Sequence, residues 1–331
     1  MPGQSAHAPA LSIVIPTVAD TAALEETLVS VLENRPPDCE IVVPLACGYD
    51  DPWNIRDEVT FVQAPRGSRL VACTNLGIAS SRGSVVHVLA AGWKATPGWT
   101  DRPLEWFATD DIAAVVPAVV SADDAARVVS TGVRLSRGGR RIAAAAPRQT
   151  DAVLAKGAAP ILEAGFWRAD VLQMAGPGFA TACGEANADA DMAAAVDCLP
   201  LPVVYEAGSR VVRGPTRQAP RAFAAGLHAE RLFWRSLGRG SRTVAVIAHV
   251  AEIVRDAVMR LPLGTLPMLA GRGVALVEIG STIRRQRQLR QLRDFVSDVE
   301  AGQTLRIDSP HTGLTRPHGR PSATPPLKRS A

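Results

Sequence analysis

Along residues 11–99, strand-like apolar runs alternate with helical stripes, and that alternation leaves few folds open. Leu11-Ser12-Ile13-Val14-Ile15, Glu40-Ile41-Val42-Val43, Val59-Thr60-Phe61-Val62 and Val85 to Leu89 are short and largely apolar. Strands buried on both faces of a parallel sheet have this composition. Between the first two, Ala22 to Glu33 carries Leu24, Leu28, Val31 and Leu32 at helical spacing, which predicts an amphipathic helix over the sheet. A second helical stretch, Ala72 to Gly83, precedes the run at Val85. The pattern predicts an α/β chain with a mostly parallel sheet and right-handed crossovers. Ligands of such sheets bind beyond the carboxyl ends of the strands.

Several motifs fall at those ends. The first run leaves through Pro16-Thr17. Arg66-Gly67 and Ala72-Cys73-Thr74-Asn75-Leu76-Gly77 follow the third, and Ala90-Ala91-Gly92-Trp93-Lys94 leads to a turn at Pro97-Gly98-Trp99. Further on come Phe166-Trp167-Arg168, Ala175-Gly176-Pro177-Gly178-Phe179, Ala188-Asp189-Ala190-Asp191-Met192 and Val203-Val204-Tyr205-Glu206-Ala207. In order and spacing the set resembles family-2 glycosyltransferases of the GT-A fold, over about residues 11–214. The resemblance implies transfer of a sugar from a nucleotide-sugar donor to a glycan or lipid-linked acceptor, with inversion. It implies donor contacts at Pro16, Thr17, Asp50, Asp51, Arg66, Asn75 and Lys94, and a catalytic pair at Asp189, the general base, and Asp191.

The departures from that family are specific. Its metal-binding acids fall where this chain has Ala90-Ala91-Gly92, and its first nucleotide-contacting acids where it has Pro44 to Tyr49. Alanine and glycine offer no side-chain oxygen to a hard cation. No bound metal and no other cofactor is therefore expected. The donor diphosphate would be neutralised by Lys94, Arg66, Arg69 or Arg82, since guanidinium groups match phosphate oxygens. The same departures support a second reading, a catalytically inactive transferase-derived module that binds a glycan, a nucleotide or a partner enzyme. An unrelated nucleotide-binding α/β protein is disfavoured, because neither Gly-x-Gly-x-x-Gly nor a Walker loop is present.

The chain of 331 residues divides into a disordered tail over 1–10, the transferase-like domain over 11–214, a helical extension over 215–300 and a disordered Pro-rich basic tail over 301–331. Residues 215–220 read as a linker, 221–237 and 242–261 as helices, 262–273 as a break, and 282–300 as a third, arginine-rich helix. That last helix is expected to make peripheral contact with a membrane or a partner. A net charge of only +4 argues against nucleic-acid binding. Five scattered cysteines argue for reduced thiols and against a zinc site. With no signal-like core at the N-terminus and no long apolar run, the expected location is cytoplasmic, at the inner face of the membrane if peripheral. The alanine- and arginine-rich composition is that of a GC-rich bacterial genome.

Overall fold

A computed structural model of the chain describes residues 8–109, 111–145, 153–176, 178–216, 218–237, 241–278, 280, 282–289 and 291. The tails expected at 1–10 and 301–331, and the second half of the helix expected at 282–300, lie almost wholly outside them.

The apolar runs form strands β1 (Leu11–Val14), β2 (Cys39–Leu45), β3 (Val59–Gln63) and β4 (Val85–Leu89), all parallel, in the order β3-β2-β1-β4. Alternate residues face opposite sides. Val14, Val42 and Val86 enter one core, while Ile13, Ile41, Val43 and Val85 enter the other. Both faces are covered, which is why the runs carry so few polar residues. On one side lies α1 (Thr21–Asn34), started by Asp20, whose carboxylate accepts from Ala23 N at 2.9 Å. On the other lies α2 (Leu70–Ser80). Gly77 lets it approach the sheet, since a Cβ there would stand 2.3 Å from Val14.

The sheet continues through β5 (Lys94–Ala95), β6 (Ala114–Val120) and β7 (Val128–Ser130), with α3 (Asp101–Thr109) between β5 and β6. A small antiparallel sheet follows, made of β8 (Val133–Leu135), β9 (Arg141–Ala143) and β10 (Ala158–Ala159). Strand β11 (Ala164–Arg168) then enters the middle of the main sheet, antiparallel to both β4 and β6. After α4 (Ala169–Met174) and α5 (Ala188–Val196), β12 (Val203–Val212) pairs parallel with β6. The expected mostly parallel sheet is present, with β11 inverted at its centre.

The extension contains α6 (Ala222–Ser236), α7 (Arg242–Met259) and α8 (Thr265–Val277). The break expected over 262–273 is instead mostly α8. Pro267 sits in the first turn, where the missing N–H has no acceptor to lose. Gly271 is buried against α6, where a Cβ would lie 2.1 Å from Phe223 O. Nor is the start of the expected linker slack, because Pro215 packs on the loop after β4. Among the described residues no single helix is long and apolar enough to cross a membrane.

Candidate active site at the carboxyl edge of the sheet

Strand β1 lies between β2 and β4, so the strand order changes direction there and a crevice opens beyond the ends of β1 and β4. Its two walls are tied together. Ala91 N donates to Pro16 O at 3.4 Å, and Thr17 N donates to Pro44 O at 2.9 Å. Thr17 is fully buried, and its hydroxyl donates to Ile15 O at 3.3 Å. Pro16 and Thr17 thus shape the crevice with backbone rather than offering a side-chain donor.

The loop after β4 is held at each residue. Ala90 N donates to Glu163 O, Gly92 N to Ala23 O and to Thr27 Oγ1, and Trp93 N to Ala90 O, all within 3.0 Å. Gly92 has φ +86°, and a Cβ on it would lie 2.6 Å from Pro215 Cδ. A Cβ on Gly214 would in turn meet Gly92 O at 2.5 Å. An aspartate at position 92 would therefore face both an unfavourable backbone and an occupied space. Among the described residues no three His, Cys, Asp or Glu side chains come together as a metal would need. The residues at this loop do not fit a divalent cation.

Beside the loop a cavity of about 330 Å³ is lined by Trp93, Arg141, Ile161, Glu163, Arg213 and Pro220, among others. Glu163 is buried and precedes β11 directly. Arg141, on β9, donates from Nε and Nη2 to the two oxygens of Asp189, each at 2.8 Å. Desolvation alone would lower the Arg141 pKa, but Asp189, helped by the charge of Glu163, raises it, so the guanidinium stays charged.

Asp189 itself is fully buried and also accepts from Leu162 N and Ala190 N. Its geometry is that of an ion-pair partner behind the cavity wall, not of an open proton acceptor. Asp191 is buried away from the cavity. It accepts from Arg235 at 2.8 and 3.3 Å and lies 3.5 Å from Arg285. Burial pushes its pKa up, yet the two arginines win and hold it below the usual carboxylate range.

The expected donor contacts do not converge. Asn75 is occupied at both ends, accepting from Phe179 N at 2.7 Å and donating to Phe179 O at 2.8 Å. Asp51, at φ +50°, accepts from Ile55 N and pairs with Arg56, bracing its own turn. Asp50 and Arg66 are exposed. Lys94 pairs with Glu26 on α1 at 3.1 Å. Arg69 and Arg82 pair with Glu185 and Glu40, and Glu185 also accepts from Leu70 N at the start of α2.

Two of the residues that do line the cavity were not anticipated as site residues. Arg141 sits in the small sheet, whose three-residue strands have no periodic signature. Glu163 had one available signal, an isolated acid immediately before an apolar strand.

The strand order, the inverted β11 and the crevice beyond β1 and β4 define a GT-A glycosyltransferase fold. Among solved structures the chain is similar to TarS of S. aureus, at 12% identity and TM-score 0.53, covering 74% of this chain and 43% of that one. It is similar to GalNAc-T7 bound to UDP, GalNAc and Mn2+, at 13% identity and TM-score 0.50, covering 78% of this chain and 59% of that one. Mannosyltransferase PcManGT from Pyrobaculum calidifontis, in complex with GDP-Man and Mn2+, overlaps at TM-score 0.48 and 16% identity, over 92% of this chain and 89% of that one. No protein-family model matches the sequence, and no curated protein is significantly similar to it.

Proposed function

We propose that the chain transfers a sugar, with inversion, from a nucleotide-sugar donor to a hydroxyl of a glycan or lipid-linked acceptor, without a resident metal. The observation that carries this is one cavity beside the loop after β4, lined by both the buried Glu163 and the Asp189-braced Arg141. In the reaction the acceptor oxygen attacks the anomeric carbon as the bond to the diphosphate breaks. Glu163 takes the acceptor proton. Arg141 and Arg213 offset the charge that develops on the leaving diphosphate, a task carboxylate-bound cations otherwise perform. Asp189 positions Arg141 rather than acting as the base.

The second reading, a binding module without turnover, draws on the contact of Pro215 with Gly92, which narrows the place a diphosphate would take. One experiment separates the two. A panel of nucleotide sugars is titrated calorimetrically, with and without Mn2+, and turnover is followed with a broad acceptor panel. The transferase reading expects donor binding that changes less than tenfold with metal, and turnover that falls by about 10²–10⁴ in Glu163→Gln with donor affinity retained. Donor binding without turnover in the unmodified chain would favour the binding module. A gain of tenfold or more on adding metal would defeat the metal-free reading.

A further inference from the structure

Helix α7 is turned inside out. A surface helix of a soluble domain normally buries its apolar stripe and shows its charges to water. Here His249, Glu252 and Asp256 face the domain. His249 places Nδ1 2.8 Å from Gly138 O and Nε2 3.0 Å from Glu230, Glu252 lies 2.9 Å from Arg140, and Asp256 accepts from Arg272 at 3.0 Å. The opposite stripe is Ile247, Val250, Val254 and Val258, at spacings of three and four, and all four are exposed. Ile247 is 65% exposed.

The apolar surface runs on through the turn after α7. Leu261 and Leu263 project from it and Leu266 from the start of α8, with Leu263 87% and Leu266 77% exposed. Helix α8 cannot turn these groups inward, because Met268, Gly271, Arg272 and Ala275 already hold its other face on α6. Among the described residues nothing covers the stripe or the tip. An apolar surface this extended is uncommon on a soluble monomer and marks an interaction site.

The charges around it choose the partner. Arg242 is exposed at the start of α7, and Arg284 and Arg287 are exposed beyond α8; Arg255, also exposed, is set against Asp256 at 3.3 Å. The acids of α7, Glu252 and Asp256, are drawn inward by Arg140 and Arg272. Glu278, at the end of α8, is engaged by Arg231. The outward charge of these helices is thus carried by Arg242, Arg284 and Arg287. A second copy of the same face would oppose arginine to arginine, whereas a bilayer with acidic headgroups offers negative charge above hydrocarbon.

We propose that the α7–α8 face, with the 261–266 turn at its tip, is a docking surface for an anionic lipid bilayer, and that the chain lies on the membrane by this face. The contact expected of the helix starting at Thr282 is thereby moved. Arg285 of that helix points inward to Asp191, and Leu289 is buried in the core. The inference goes beyond the proposed transfer reaction and stands even if the chain turns nothing over.

The test is flotation of the full chain with vesicles of phosphatidylcholine alone, or with about one third phosphatidylglycerol. Co-flotation with the anionic vesicles, weakened by salt, is expected. Leu263→Glu combined with Leu266→Glu should cut the bound fraction at least roughly tenfold, because the apolar tip no longer enters the interface. Both side chains are exposed, so the thermal midpoint should not move. Arg242→Gln with Arg284→Gln should weaken binding to anionic vesicles by about tenfold and leave neutral vesicles unaffected. Failure of the unmodified chain to float with anionic vesicles overturns the proposal. So does undiminished flotation of the double-glutamate variant. A dimer in solution that this variant dissolves, without vesicle binding by either form, would assign the face to a second copy.

Discussion

Asp189 and Glu163 both help to keep Arg141 charged, and the sequence marks Asp189 far more strongly than Glu163. Asp189 stands in a short acidic motif at the head of a helix, so its position in the chain drew attention to it. Its pairing with Arg141 brings together residues 48 apart and depends on a small sheet with no apolar period. That pairing decides its role. Asp189→Asn should leave Arg141 without its charged partner in a largely dry place. Breaking a buried ion pair costs about 3–5 kcal/mol, and with Arg141 partly exposed the lower end applies. Urea or thermal unfolding would measure it. A variant as stable as the parent would mean that the pair does not hold the small sheet against α5. Asn75 teaches the same lesson, since its motif was visible and its partner, the Phe179 backbone, was not.

At the scale of elements, strands β1 to β4 and the helices between them followed from periodicity, because each is buried in the ordinary sense. Helix α7 followed from its sequence as well, but α8 did not. Proline and glycine at 262–273 read as a break, but backbone proximity overrides propensity there. A Cβ on Gly226 would come within 2.0 Å of Met268 O, and Gly271 is equally close to α6. Gly226→Val should force α6 and α8 apart and lower stability by about 1–3 kcal/mol. Gly273, on α8 with open space for a Cβ, is the contrast. Gly273→Ala should stabilise the helix by up to about 1 kcal/mol. Equal effects of the two changes on the thermal midpoint would contradict this packing.

For the molecule as a whole, acid stability is set by groups that the folded chain keeps from taking up protons. His87, wholly buried between Trp99 and Phe166, has its pKa driven well below 6.5 by desolvation, which outweighs a backbone contact at Gly165. Glu230 and Asp191 are pushed up by burial, but their cationic partners win and hold both below the ordinary carboxylate range. In each case the unfolded chain binds protons more readily, so stability rises with pH in the window concerned. The thermal midpoint should fall in two stages, first as the pH drops below 6.5 and again below the ordinary carboxylate values. His87→Leu should shrink the first stage, leaving the smaller share of His228, whose pKa burial and nearby arginines also lower, and should keep the second. A first stage unchanged in that variant would exclude His87 as its source. The overall architecture was legible from residues 11–99 because β1 to β4 are consecutive. The order in which the sheet can be completed during synthesis follows from β11. The first four strands can associate once residue 89 has left the ribosome, yet the open edge of β4 has no neighbour until residues 164–168 emerge. For some 75 residues of elongation, about 4–15 s at ~5–20 residues per second, the nascent chain carries a bare apolar strand edge, the kind that pairs with other chains.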